Sequence, residues 1–108
     1  MATYDLQGSL DLLVLKTLAQ RTQLHGYGIV QHLRRVSNDL LQVEEGSIYP
    51  ALHRMAQSKW ITAEWAETET GRRAKYYKLT AAGRRRLADA EGEFEDLVKG
   101  VRAVLRHA

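Results

Sequence analysis

The chain has 108 residues, enough for one domain with a modest hydrophobic core and too few for a core plus an elaborate active-site cleft. It holds no cysteine, which excludes disulfides, thiolate metal sites and cysteine nucleophiles. The formal net charge is only +3, but it is unevenly spread: Arg72, Arg73, Lys75, Lys78, Arg84, Arg85 and Arg86 occur with no acid among them, and Asp89 to Asp96 is acidic with no base.

The amino-terminal stretch MATYDLQGSLDLL has no basic n-region, and the longest apolar run is Leu12 to Leu15, so neither a signal peptide nor a membrane span is expected. A cytoplasmic location is the corresponding expectation. Ser9 reads as the N-cap of a first helix over Leu10–Gln20, with Asp11 in its first turn, favourable against the helix dipole. Leu10, Leu12, Leu13, Val14, Leu15, Leu18 and Ala19 cover nearly its whole circumference, so something must pack on both sides.

A second amphipathic helix is expected from near Gly26 to Ser37–Asn38, with Ile29, Leu33 and Val36 on one face. LLQV, Leu40 to Val43, is too short for more than a connecting strand. In EEGSIYPALHRM, Glu44 to Met55, Ile48, Ala51, Leu52 and Met55 fall in one stripe and define a third helix. Its expected start has Ser47 as N-cap and Pro50 in the first turn, where a missing N–H has no partner to lose.

Trp60 to Trp65 reads as a strand with Ile61, Ala63 and Trp65 on one face, and RRAKYYKLT as a second strand with Tyr77 and Leu79 on one side and Tyr76 on the other. Together they form a β-hairpin with a polar tip and a basic return strand. Thr80 caps a last helix over Ala81–Arg106, where Leu87, Ala90, Phe94, Leu97, Val101 and Val104 repeat at alternate spacings of three and four, a heptad seam. Gly92 and Gly100 within it mark either close helix approach or bends. Pairing of two such helices would cover helix one on both faces and contribute on the order of 10 kcal/mol before entropy; the alternative, a last helix folded back on its own domain, leaves helix one over-exposed.

Three helices, a hairpin and a helix, mainly α with a small β-hairpin, give the order of a winged helix-turn-helix, with residues 1–80 as DNA-binding domain and 81–108 as dimerisation helix. In isolation a basic run reads as a solvated face; on a wing beside a groove-facing helix it reads as a phosphate-contacting surface.

LHGYGI (Leu24 to Ile29), EEGSIYPALHRM, WITAEW and RRAKYYKLTAAGRRRL (Arg72 to Leu87) together resemble the PadR family of bacterial transcriptional regulators, in its short form with a single C-terminal helix. The resemblance spans roughly residues 6–87. It implies a homodimeric repressor that binds an inverted repeat in double-stranded DNA and is released by a small molecule or another signal. Tyr27 resembles the family's backbone-contacting tyrosine, with partial burial under helix three as the alternative. Where the family usually has a Gly between helix three and the first wing strand, this chain has Lys59, so a glycine left-handed cap is not available there.

On helix three, Gly46, Pro50, His53 and Gln57 lie opposite the apolar stripe and Ser47, Tyr49 and Arg54 on its flanks, and these are the groove candidates. Ser47 and the free N–H groups suit a phosphate oxygen, Tyr49 offers a hydroxyl to phosphate, and Pro50 offers an apolar surface for a thymine methyl. Arg54 suits a guanine edge or a phosphate, and His53 extends to the same side. Tyr49, at ~100° from the stripe centre, is divided between groove and core, and His53 between groove contact and simple exposure. Arg72, Arg73 and Lys75 are the wing's phosphate contacts. Trp60, Trp65 and Phe94 are read as core aromatics rather than ligand-stacking residues.

His25, His32, His53 and His107 have no spacing that gathers three ligands on one element, so neither a metal nor another cofactor is expected. GSIYP lacks the second glycine of an esterase elbow, so no enzyme is expected. The competing class is a winged-helix protein-interaction module without specific DNA binding. An inducer, the operator and the choice between repression and activation have no signature in the residues.

Overall fold

A computed structural model describes residues 7–21 and 23–107, arranged as α1 (Gln7–Gln20), β1 (Leu24–His25), α2 (Gly26–Val36), α3 (Glu45–Gln57), β2 (Ile61–Glu67), β3 (Arg73–Leu79) and α4 (Ala81–Arg106). This is the expected winged helix-turn-helix with a long final helix. Among the described residues no helix is long and apolar enough to cross a membrane.

The core is built from one stripe of each helix plus the base of the hairpin. Leu10, Val14, Leu15 and Leu18 of α1, Ile29, Val30 and Leu33 of α2, and Ile48, Ala51, Leu52 and Met55 of α3 are buried together with Ile61, Tyr77, Leu79 and Leu87. Leu12, Leu13 and Ala19 pack against this cluster while staying partly exposed, as the near-continuous apolar surface of α1 requires. Buried Thr17 satisfies its hydroxyl by donating to the Leu13 carbonyl at 2.8 Å.

Helix α1 begins at Gln7 rather than Leu10, so Ser9 lies inside the helix instead of capping it and Asp11 lies beyond the first turn. Helix α2 is capped by His25, whose Nδ1 accepts the Gly28 N–H at 2.9 Å. It ends with Asn38 and Asp39 at φ +52° and +62°, closed by Asn38 N–H to Arg35 O and Asp39 N–H to Arg34 O. The following Leu40 to Val43 is a link rather than a strand; it is pinned by Arg34, which donates to the Val43 carbonyl at 3.0 Å, and by burial of Val43.

Helix α3 departs from expectation at its start. Its N-cap is Glu44, which makes no side-chain cap bond, and Ser47 and Ile48 donate to the Glu44 carbonyl. Ser47 is therefore a helical residue, and Pro50 lies within the helix, past the first turn. The missing N–H of Pro50 leaves the Gly46 carbonyl without its helical donor. Gly46 is exposed and open on its outer side, so water can serve that carbonyl.

At the other end of α3, Lys59 takes the left-handed conformation at φ +63°, with Lys59 N–H bonded to Ala56 O and Trp60 N–H to Met55 O. These two bonds form a Schellman cap with lysine where glycine is favoured, and the surrounding bonds impose the strained backbone.

The sheet has the order β1-β3-β2, all antiparallel. Strand β1, too short to show a period in sequence, adds Leu24↔Tyr77 and His25↔Tyr76 to the expected hairpin. The wing register runs from Ile61↔Leu79 to Glu67↔Arg73, and its turn closes through Thr68 N–H to Arg72 O and Gly71 at φ +83°.

Thr80 caps α4 as expected, its Oγ accepting the Gly83 N–H at 3.0 Å, while its hydroxyl points to the Lys59 carbonyl at 2.7 Å. Gly83 is required by contact: a Cβ there would collide with the Trp60 carbonyl oxygen. Leu87 and Ala90 bury against the domain, and Lys16 of α1 pairs with Glu91 at 3.5 Å. Beyond them α4 carries Phe94, Leu97, Val101 and Val104 in exposed positions, and the molecule measures 58 × 30 × 21 Å.

Candidate nucleic-acid interface

Helix α3, the N-terminus of α2 and the wing enclose an open trough of about 1060 Å³. Tyr27, Tyr49, His53, Arg72, Arg73 and Lys75 all line it, so two helices and a hairpin remote in sequence bring these candidates to one surface. Tyr27 is 51% exposed. Among the described residues, none of Arg72, Arg73 and Lys75 is engaged in an ion pair. Their charge is therefore available to an anionic partner.

Tyr49 stands at the border between the trough and the domain. It is 46% exposed, while the inner edge of its ring packs over the backbone of Gly26, where a Cβ would stand 2.5 Å from Cε1. Burial, and then the charge of Glu45, raise its hydroxyl pKa above the ordinary tyrosine value. Tyr77, at the floor, is raised by burial and by Tyr49. Both hydroxyls are neutral donors at physiological pH.

Ser47 and Pro50 are exposed near the start of α3 but do not line the trough. Arg54 is a different case. Its guanidinium makes a double hydrogen bond to the Asp11 carboxylate, Nη1–Oδ2 at 2.7 Å and Nη2–Oδ1 at 2.9 Å. Those bonds raise its pKa and commit it to α1 rather than to a groove. One residue beyond His53 turns the side chain by ~100°, enough to change its neighbour from solvent to α1. Periodicity contains no sign of a partner so distant in sequence.

Trp65 and Phe94 are not the core aromatics expected, since both are exposed. The strand of Trp65 continues past the domain, so alternation after Ile61 no longer means burial; Trp65 is 57% exposed and lines the trough. Gln31 and Tyr76 also line it, with Tyr76 edge-on to His25 at 5.3 Å between centroids. Trp60 is only partly buried, with the Arg86 guanidinium 5.5 Å from its ring centroid, and Phe94 is 43% exposed. Among the described residues no three His, Asp or Glu side chains converge on a common point.

A groove-facing helix flanked by a cationic wing is the arrangement that reads duplex DNA. The known proteins agree. Residues 14–89 match the model of the transcriptional regulator PadR-like family. The transcriptional regulator Rv3488 of Mycobacterium tuberculosis is 30% identical over 83 residues, covering 77% of this chain and 74% of that one. Among solved structures, a transcriptional regulator from Clostridium thermocellum superposes with a TM-score of 0.81 at 26% identity, covering 94% of this chain and 97% of the other. A PadR family transcriptional regulator from Eggerthella lenta superposes with a TM-score of 0.80 at 28% identity, covering 94% and 86%. The chain belongs to the PadR-like family and is a DNA-binding transcriptional regulator, not an enzyme.

Proposed function

We propose that this regulator is a cytoplasmic homodimeric repressor that reads an inverted repeat, one half-site per subunit, and is released by a small-molecule signal. Helix α3 enters the major groove with Tyr49, Pro50 and His53 toward the bases, and Ser47 and Tyr27 on the backbone. Arg72, Arg73 and Lys75 hold flanking phosphates. Arg54 is withdrawn from this set, because Asp11 holds it. The observation that carries the reading is the trough itself, which gathers Tyr27, Tyr49 and His53 opposite three wing cations that make no ion pair among the described residues.

The second subunit is supported by the far end of the molecule. Phe94, Leu97, Val101 and Val104 continue the seam begun by the buried Leu87 and Ala90, yet face solvent in a single chain. A notch of about 290 Å³ between Ser9 and Leu12 of α1 and Ala90, Phe94 and Leu97 of α4 lies on the same side. A second copy of α4 would fill it and cover α1. Residues 81–108 thus finish the domain with their first turns and pair with the copy through the rest.

The test is competition binding to the DNA upstream of the protein's own gene, with a footprint. Two protected half-sites about one helical turn apart are expected. Changes at Tyr49 or Pro50 should alter preference among sequences, whereas Arg73→Ala and Lys75→Ala should each weaken binding to all sequences and lower the salt slope by about one. Weak association blind to sequence, with groove-helix substitutions making no difference, would overturn this assignment.

A further inference from the structure

An exposed indole on an outer strand needs a reason, because an open edge bearing a large apolar ring invites pairing with other chains. Trp65 lies in β2, the outer strand of the wing, at a position directly opposite Lys75. Arg73, two residues before Lys75 on the same face of β3, is its diagonal neighbour. The Arg73 guanidinium carbon lies 5.6 Å from the Trp65 ring centroid and the Lys75 ammonium nitrogen 5.7 Å from it. Both distances are within the range of cation–π attraction. One indole ring is therefore within reach of two of the three cations assigned to phosphate, and all three residues line the trough.

We propose that Trp65 is a positioning residue for DNA binding. It holds Arg73 and Lys75 over its ring so that both are directed before the duplex arrives. A free arginine or lysine loses rotamer freedom when it docks on a phosphate. A cation already held against an indole has lost part of that freedom in the unbound protein, so more of the electrostatic attraction remains as affinity. Arginine and lysine keep their full charge over an aromatic face, and the interaction with phosphate adds to the one with the ring. The inference rests on the proposed use of the wing, which is tested first and separately by Arg73→Ala alone.

The experiment is a double-mutant cycle on binding of the full-length protein to its upstream duplex, across a salt series. Trp65→Leu should weaken binding about fivefold, and Trp65→Phe, which keeps a weaker aromatic face, by half that or less. Arg73→Ala should cost roughly tenfold in the parent and about fourfold in the Trp65→Leu background, since the cation there is no longer held, which leaves about twofold of the Trp65 effect to act through Lys75. The thermal midpoint of Trp65→Phe reports on folding and should match the parent. Independent effects of Trp65 and Arg73, or Phe no better than Leu, would overturn the positioning role. An Arg73→Ala protein that binds like the parent would instead overturn the wing reading, and the Trp65 inference with it.

Discussion

Asp11 on α1 and Arg54 on α3 grip each other through two parallel hydrogen bonds of 2.7 and 2.9 Å, and this pair links α3 to α1. The Asp11 side chain is only 16% exposed and that of Arg54 38%, so solvent screens the pair in part. Arg54→Ala should lower stability to urea by about 1–2 kcal/mol. Arg54→Lys should recover less than half, because an ammonium cannot make the paired contact. With Asp11→Asn as the second arm, the double variant should lose less than the sum of the two single losses.

Gly83→Ala sets two effects against each other. Alanine favours the helix by about 1 kcal/mol, but its methyl carbon would enter the space of the Trp60 carbonyl oxygen. Backbone cannot yield as a flexible side chain does, so a net loss of about 2–3 kcal/mol is expected in urea unfolding.

Lys59→Gly should move stability the other way. The φ of +63° costs a side chain about 1–2 kcal/mol, and glycine gives back part of the relief through its more disordered unfolded chain. A gain of about 0.5–1 kcal/mol in the same assay is expected, with operator binding unchanged.

Gly26→Ala distinguishes the fold from the interface. The added carbon meets the Tyr49 ring at 2.5 Å, and a ring at a half-open surface can swing aside. Stability should change by less than about 1 kcal/mol. Operator affinity should fall by about 1 kcal/mol, and the loss should disappear when Tyr49 is already alanine.

His32 gives a dependence on pH. Its pKa lies below the ordinary histidine value because burial, and then the charges of Arg35 and Arg21, disfavour the cation. A folded pKa below the unfolded one means the contribution is present above about pH 6.5 and is lost as pH falls through the folded value. His32→Gln should therefore lose less stability than the parent between pH 7 and pH 5, measured by urea midpoint.

Much of this architecture was legible in the residues. Ile48, Ala51, Leu52 and Met55 identify the inward face of α3, and Thr80 marks the start of α4, because each acts through near neighbours. The failures share a cause. Ser47 and Pro50 imitate a helix start, but the true start is set by Glu44, and exposed Gly46 makes an interior proline tolerable. Asp11 with Arg54, Gly83 with Trp60 and Trp65 with Arg73 are all tertiary relations, which no local period encodes. Lys59 shows a left-handed position held by its cap bonds against the preference of the residue.

The contact of Gly83 with Trp60, locked by Thr80, joins the root of the wing to the root of α4 without slack. In a dimer joined through α4, each wing root is fixed to the helix that meets the other subunit, like the arms of a caliper. The angle at which two copies meet would then set the gap between their wings, and a small turn at the seam would change which spacing of half-sites the protein can span.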